Sequence, residues 1–132
     1  MLLTRADMES RFGVKELIDL TDRGRYESIN DEVLDKALGD ATALVQSFLG
    51  ALGIRAEALP SPPPPALVIK ACDIARWYLY EDKVTDVVQL RYDQALQWLR
   101  DLRKFPGMLG LNLAGDQSTA LVIVAPNEVP KL

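Results

Sequence analysis

Ten apolar residues between Val33 and Leu52 (Val33, Leu34, Ala37, Leu38, Ala41, Leu44, Val45, Phe48, Leu49 and Leu52) recur at i, i+3, i+4 spacing. That period fits 3.6 residues per turn and no strand register, so the segment predicts a long amphipathic helix that needs a facing layer. Asn30 or Asp31 is a good N-cap for it. Glu32 stands four residues before Lys36, the favourable order for an ion pair on the outer face. Gly50 and Gly53 weaken the far end, and Pro60 with the run Pro62-Pro63-Pro64-Pro65 stops it. Each proline lacks the N–H a helix needs, and four together favour a stiff extended connector.

Pro65 fits the first turn of a following helix, where a missing N–H is harmless. Leu67, Val68, Ala71, Cys72, Ile74, Ala75, Tyr78 and Leu79 form its buried stripe. Glu81-Asp82-Lys83 interrupts the pattern, and Thr85 or Asp86 caps a further helix. That helix carries Val87, Val88, Leu90, Tyr92, Ala95, Leu96, Trp98, Leu99 and Leu102 as its apolar set, up to Pro106-Gly107. Near the N-terminus, Thr4 and Asp7 form a capping box ahead of Met8 and Phe12, and Gly13 supplies a left-handed stop. A second short helical turn covers 14–20, and a polar loop follows to Asn30. The reading is therefore a mainly α protein: a bundle of three long amphipathic helices plus short N-terminal helices over 1–107.

Residues 108–132 break this pattern and read as an extended C-terminal arm. Within it, 119–125 is an uncharged, β-branched segment ended by Pro126, a candidate strand containing Leu121, Val122, Ile123 and Val124. A lone strand has no sheet to join in a helical domain. It either packs on its own bundle or pairs with another chain, and its short apolar character favours strand addition.

Composition removes several kinds of chemistry. The chain of 132 residues is acidic, with a formal net charge of −4, which argues against a generally basic nucleic-acid binder. It contains no histidine, hence no Ser-His-Asp or Cys-His arrangement and none of the commonest metal ligand. Cys72 is the only cysteine, so no intrachain disulfide and no cysteine zinc cage form, and its apolar neighbours predict a buried, inert thiol. The N-terminus turns acidic at Asp7, too early for a signal peptide, and no uncharged apolar run reaches a membrane span. The expectation is a cytosolic protein, without cofactor or metal, that is not an enzyme.

Three further signals are weaker. A calcium loop begun at Asp22 would place Gly24, Tyr26, Glu27 and Val33 at ligand or glycine positions, so the ligand set is missing and a solvated helix approach is the reading. A carboxylate pair such as Asp73 with Asp93 is the only acid–base candidate, but single carboxylates on amphipathic helices read as surface charges. Arg76, Trp77, Tyr78 and Tyr80 mix aromatic and basic groups beside Asp73, Glu81 and Asp82. They read as structural or subunit-contact residues, as do Arg91, Trp98 and Arg100. The candidate protein-interaction residues are thus Trp77, Tyr80, Arg91 and Trp98, with Leu121 to Val124 in the arm.

Several segments in this order resemble a known family. They are Arg11-Phe12-Gly13 with Glu16-Leu17-Ile18 and Leu20-Thr21-Asp22-Arg23, then Val33 to Ala41 with Ser47-Phe48-Leu49. Ala71 to Arg76 with Leu79-Tyr80, Val84-Thr85, Arg91-Tyr92-Asp93 and Ala95-Leu96 with Trp98-Leu99 complete the set. The chain resembles the small head-cluster proteins of Mu-like bacteriophages and prophages over roughly residues 1 to 110. Members commonly carry an Asp/Gly-rich stretch after Thr-Asp-Arg, which Gly24 to Ser28 replaces here, so no metal role carries over. The resemblance implies a virion morphogenesis protein.

The implied layout is similar to that of head–tail adaptor (connector) proteins. On that likeness the chain forms a homo-oligomeric, dodecameric ring on the phage portal protein in the virion neck, after assembly in the host bacterial cytoplasm. Its partners are the portal and the next neck or stopper protein. DNA passes through without sequence-specific binding, which an acidic chain suits, and no membrane is involved. The alternative is a soluble helical scaffolding or regulatory module of phage assembly that is absent from the mature virion.

Overall fold

The computed structural model describes residues 2–80 and 82–110, and they contain five α-helices and no strand. The helices are α1 (Arg5–Phe12), α2 (Val14–Thr21), α3 (Asp31–Ala51), α4 (Pro65–Leu79) and α5 (Asp86–Asp101). Single 3-10 turns cover Ala56–Ala58 and Pro106–Leu109. The candidate strand 119–125 and most of the proposed arm lie outside the described residues.

Local chemistry sets the helix starts. The Thr4 hydroxyl accepts from the Asp7 N–H at 3.2 Å while the Asp7 carboxylate accepts from the Thr4 N–H at 2.8 Å. Asn30 caps α3, its side chain accepting from the N–H groups of Glu32 and Val33. Thr85 caps α5 by accepting from Val88. Pro65 is the first residue of α4, as its fixed φ allows. Gly53, at φ 80°, closes α3: its N–H reaches the Gly50 carbonyl and the Ile54 N–H reaches Leu49. The expected weakening at Gly53 is thus a defined stop, with Ile54 turned back into the core.

The three long helices run up, down and up. The N-terminal half of α3 shares a groove with the C-terminal end of α4, and the C-terminal ends of α3 and α5 share another. Helix α4 lies in the middle, packed against α3 on one side and α5 on the other, with α1 across it. Its Leu67, Ala71, Cys72, Ile74 and Ala75 are fully buried. Met8 of α1 and Leu17 of α2 add to the same core, as do Leu2 and Leu3 ahead of α1. The Leu2 N–H donates to the Thr42 hydroxyl on α3, which ties the N-terminus down.

Two details differ from the sequence reading. Lys36 reaches forward to Asp40 at 3.4 Å rather than back to Glu32. On α5, Val88, Ala95, Leu99 and Leu102 are buried as expected, but Val87 and Leu90 are each 54% exposed. The cause is position: α5 is an outer helix, so α4 covers one side of it and nothing among the described residues covers the other.

Candidate interaction surfaces

The N-terminal helices are held by two crossing ion pairs. Arg11 of α1 meets Asp73 of α4 at 3.2 Å, and Arg76 of α4 makes two bonds to Glu16 of α2 at 2.7 and 3.0 Å. Between them lies Phe12, with the Arg76 guanidinium 4.5 Å and that of Arg11 5.4 Å from its ring centroid. Gly13, at φ 89°, makes the bend that lets α1 and α2 approach α4 together. Asp73 is only 3% exposed, so the expectation of a surface charge is corrected. The α1 helix crosses α4 at this point and covers the carboxylate while bringing Arg11 as its counter-ion. Asp93 has a separate partner, accepting from Gln89 at 3.0 Å on the surface of α5.

Cys72 lies next to this joint, and burial pushes its thiol up to about 12 from an ordinary 9.0. Burial followed by the nearby Glu16 carboxylate raises the Tyr80 hydroxyl. On the approach to α3, the Asp22 carboxylate accepts from the N–H groups of Glu27 and Ser28, which lowers its pKa.

Aromatic residues join α4 to α5. Trp77 stacks on Tyr92 with centroids 4.1 Å apart and planes 14° from parallel, and its Nε1–H donates to Gln89 at 3.0 Å. Tyr78 meets both rings edge-on. The structure therefore brings Trp77 into an internal stack, half-buried. Tyr80 borders a shallow groove with Leu20, Arg23, Asp82 and Lys83. Trp98 is half-buried against the core, and Arg91 is exposed on α5. The cation–π contacts found among the described residues lie at Phe12, whose arginine partners come from α1 and α4. Leu121, Val122, Ile123 and Val124 lie outside the described residues.

Two open apolar surfaces involve α5. One is a groove of about 350 Å³ between the C-terminal ends of α3 and α5, floored by Phe48, Ala51, Leu52 and Leu99 and rimmed by Arg100 and Arg103. The other is the outer side of α5 at Val87 and Leu90. Neither was legible as a surface from periodicity, which marks apolar residues without saying what covers them. The proline run lines a third depression with Met108, Leu109 and Gly110, where the described chain ends. Among the described residues no group of three or more acidic or cysteine ligands converges on one point, and no helix is long and apolar enough to cross a membrane.

Fold and surfaces together define a mainly α protein: among the described residues, an up-down-up bundle clamped by an N-terminal helical pair, with apolar patches left at its outer helix. The chain belongs to the Bacteriophage Mu Gp36 family, whose profile matches residues 3–122. It is 30% identical over 99 residues to gene product J of Escherichia phage Mu, covering 72% of this chain and 67% of that one. It is 26% identical over 116 residues to the Mu-like prophage FluMu protein gp36 of Haemophilus influenzae, covering 87% and 78% respectively.

Proposed function

We propose that the protein is a structural component of the phage neck, a head–tail adaptor that assembles as a homo-oligomeric ring on the portal. In this reading it acts through surfaces and carries out no catalysis. It meets the portal on one side and the next neck protein on the other, and DNA passes through the ring without being read. The observation that carries the reading is the exposed apolar side of α5, Val87 and Leu90, in a chain of the Mu Gp36 family. Val87 and Leu90 stand three residues apart, so they form one apolar ridge on the helix that a partner surface can cover. Segment 119–125 is assigned to strand addition on the portal or a neighbouring subunit.

The test has two parts. Mass spectrometry of purified particles should detect the protein in stoichiometric amounts, and immobilised portal should retain it. Absence from the particle would overturn the adaptor reading in favour of a scaffolding or regulatory module. Truncation after Gly115 should abolish neck assembly, and unimpaired assembly would remove the role given to the arm.

A further inference from the structure

The outer side of α5 and the groove at its far end are both apolar and carry opposite charges. The groove has an apolar floor of Phe48, Ala51, Leu52 and Leu99, with Arg100 and Arg103 above it. Neither arginine enters an ion pair among the described residues. On the other surface Leu90 follows Asp86 by four residues and precedes Asp93 by three, so all three share one helix face, with Val87 at its edge. Asp86 and Asp93 likewise enter no ion pair among the described residues.

We propose that the groove of one copy receives the outer face of α5 from a second copy of this chain. Leu90 and Val87 enter the space over Phe48 and Leu52, and Asp86 and Asp93 meet Arg100 and Arg103. The proposal rests on the ring reading above and names the surface that builds the ring. Charge complementarity singles out the occupant. An apolar groove rimmed by unpaired arginines selects an apolar ridge flanked by carboxylates, and this chain displays such a ridge itself.

Helix geometry decides the kind of contact. Leu90 and Leu99 are nine residues apart, two and a half turns, and so lie on opposite sides of α5 about 14 Å apart along its axis. Although Asp93 and Arg100, seven residues apart, share a face, the Leu90 ridge and the Leu99 floor point in opposite directions, so a twofold pair cannot seat both ridges in both grooves at once. Each copy therefore uses its ridge on one neighbour and its groove on another, a head-to-tail contact that closes into a ring when the rotation per step allows.

The test uses the full chain carrying Ala51→Cys and Leu90→Cys, both at exposed positions, with Cys72 buried and silent. Mild oxidation at high concentration should give a ladder of dimers, trimers and larger species. Each single variant alone should stay monomeric, and an equal mixture of the two should stop at dimers. Dimers from Leu90→Cys alone, as abundant as in the mixture, would show a twofold contact and overturn the proposal. So would cross-linking no faster than that of a control pair, Val14→Cys with Leu90→Cys.

Charge reversal supplies the second readout on the double-cysteine chain. Arg100→Glu with Arg103→Glu, or Asp86→Arg with Asp93→Arg, should each lower the yield about tenfold, a change worth about 1.4 kcal/mol. Mixing the two reversed chains should restore it, and failure to restore would overturn the pairing. Portal retention is scored separately. A ladder without portal binding keeps the contact and removes the adaptor role, whereas portal binding without a ladder overturns the contact alone.

Discussion

Helices α4 and α5 are nearly equal in length, 15 and 16 residues, and both repeat apolar residues at helical spacing. Their fates in the fold differ. Helix α4 is covered by α3, α5 and α1, so even Asp73 is drawn inside and needs Arg11 as a counter-ion. Helix α5 is covered mainly by α4, and Val87 and Leu90 stay in solvent. Apolar periodicity thus carries two kinds of information. In the central helix it encodes a core, and in the outer helix part of it encodes a surface. The polar residues divide in the same way: those of α4 lock neighbouring helices, whereas Asp86, Arg91 and Asp93 of α5 face outward.

The sharpest way to break this contrast is chemical. Cys72 should react with a thiol reagent at pH 8 about a thousandfold more slowly than in the urea-unfolded chain, because access requires opening the core. A cysteine placed at Leu90 should react at the unfolded rate. Equal rates at the two positions would refute the central and outer assignments. The raised thiol also sets a pH trend. The folded state holds the proton longer, so this contribution to stability is complete below 9.0 and is lost as pH rises toward about 12. Alkaline unfolding of wild type against Cys72→Ala should reveal that slope.

Next in size are packing and charge. Ile74→Ala should cost about 2–5 kcal/mol in a urea titration, whereas Leu90→Ala should change stability by less than about 0.5 kcal/mol. Arg11→Met leaves Asp73 buried without its partner and should cost about 3 kcal/mol. The double variant with Asp73→Leu should recover most of that loss, since an apolar pair leaves no charge stranded. Failure to recover would mean that the joint depends on Arg11 over Phe12 rather than on its ion pair with Asp73.

Among the contacts inside the bundle, the smallest loss is expected at the seam between the two helices. Trp77→Phe keeps the stack on Tyr92 and removes the bond to Gln89, a loss of about 1 kcal/mol. Gln89→Ala should cost about the same, and combining the two should add little, because both remove one hydrogen bond. Additive losses would place the value of Trp77 in contacts other than this bond.

Much of the fold was readable from local signals. Thr4, Asn30 and Thr85 start their helices, the prolines separate α3 from α4, and the thiol of Cys72 is buried. Each of these depends on residues within one or two turns. The joints were not readable: Arg11 and Asp73 are 62 residues apart, and Arg76 and Glu16 are 60. Leu2 and Leu3 precede any periodic run, so nothing in the local pattern marks them as core. Of the candidate interaction residues, Trp77 could be recognised as an anchor, but the ring that meets it, Tyr92, lies on the next helix. The two open surfaces became visible only once the order of helices was known.

Sequence alone determined which of the described segments form α-helices and where most of them begin, because capping, proline geometry and the 3.6-residue period act over a few neighbours. It also determined that these 132 residues hold no histidine and a single cysteine, which cannot form an intrachain disulfide. Tertiary structure decided which helix lies in the middle, and with that the burial of Asp73, the exposure of Leu90 and the pairing of Arg76 with Glu16. The reason is physical. A helix can present an apolar stripe by itself, but whether that stripe becomes core or surface depends on how many other elements find room to lie against it.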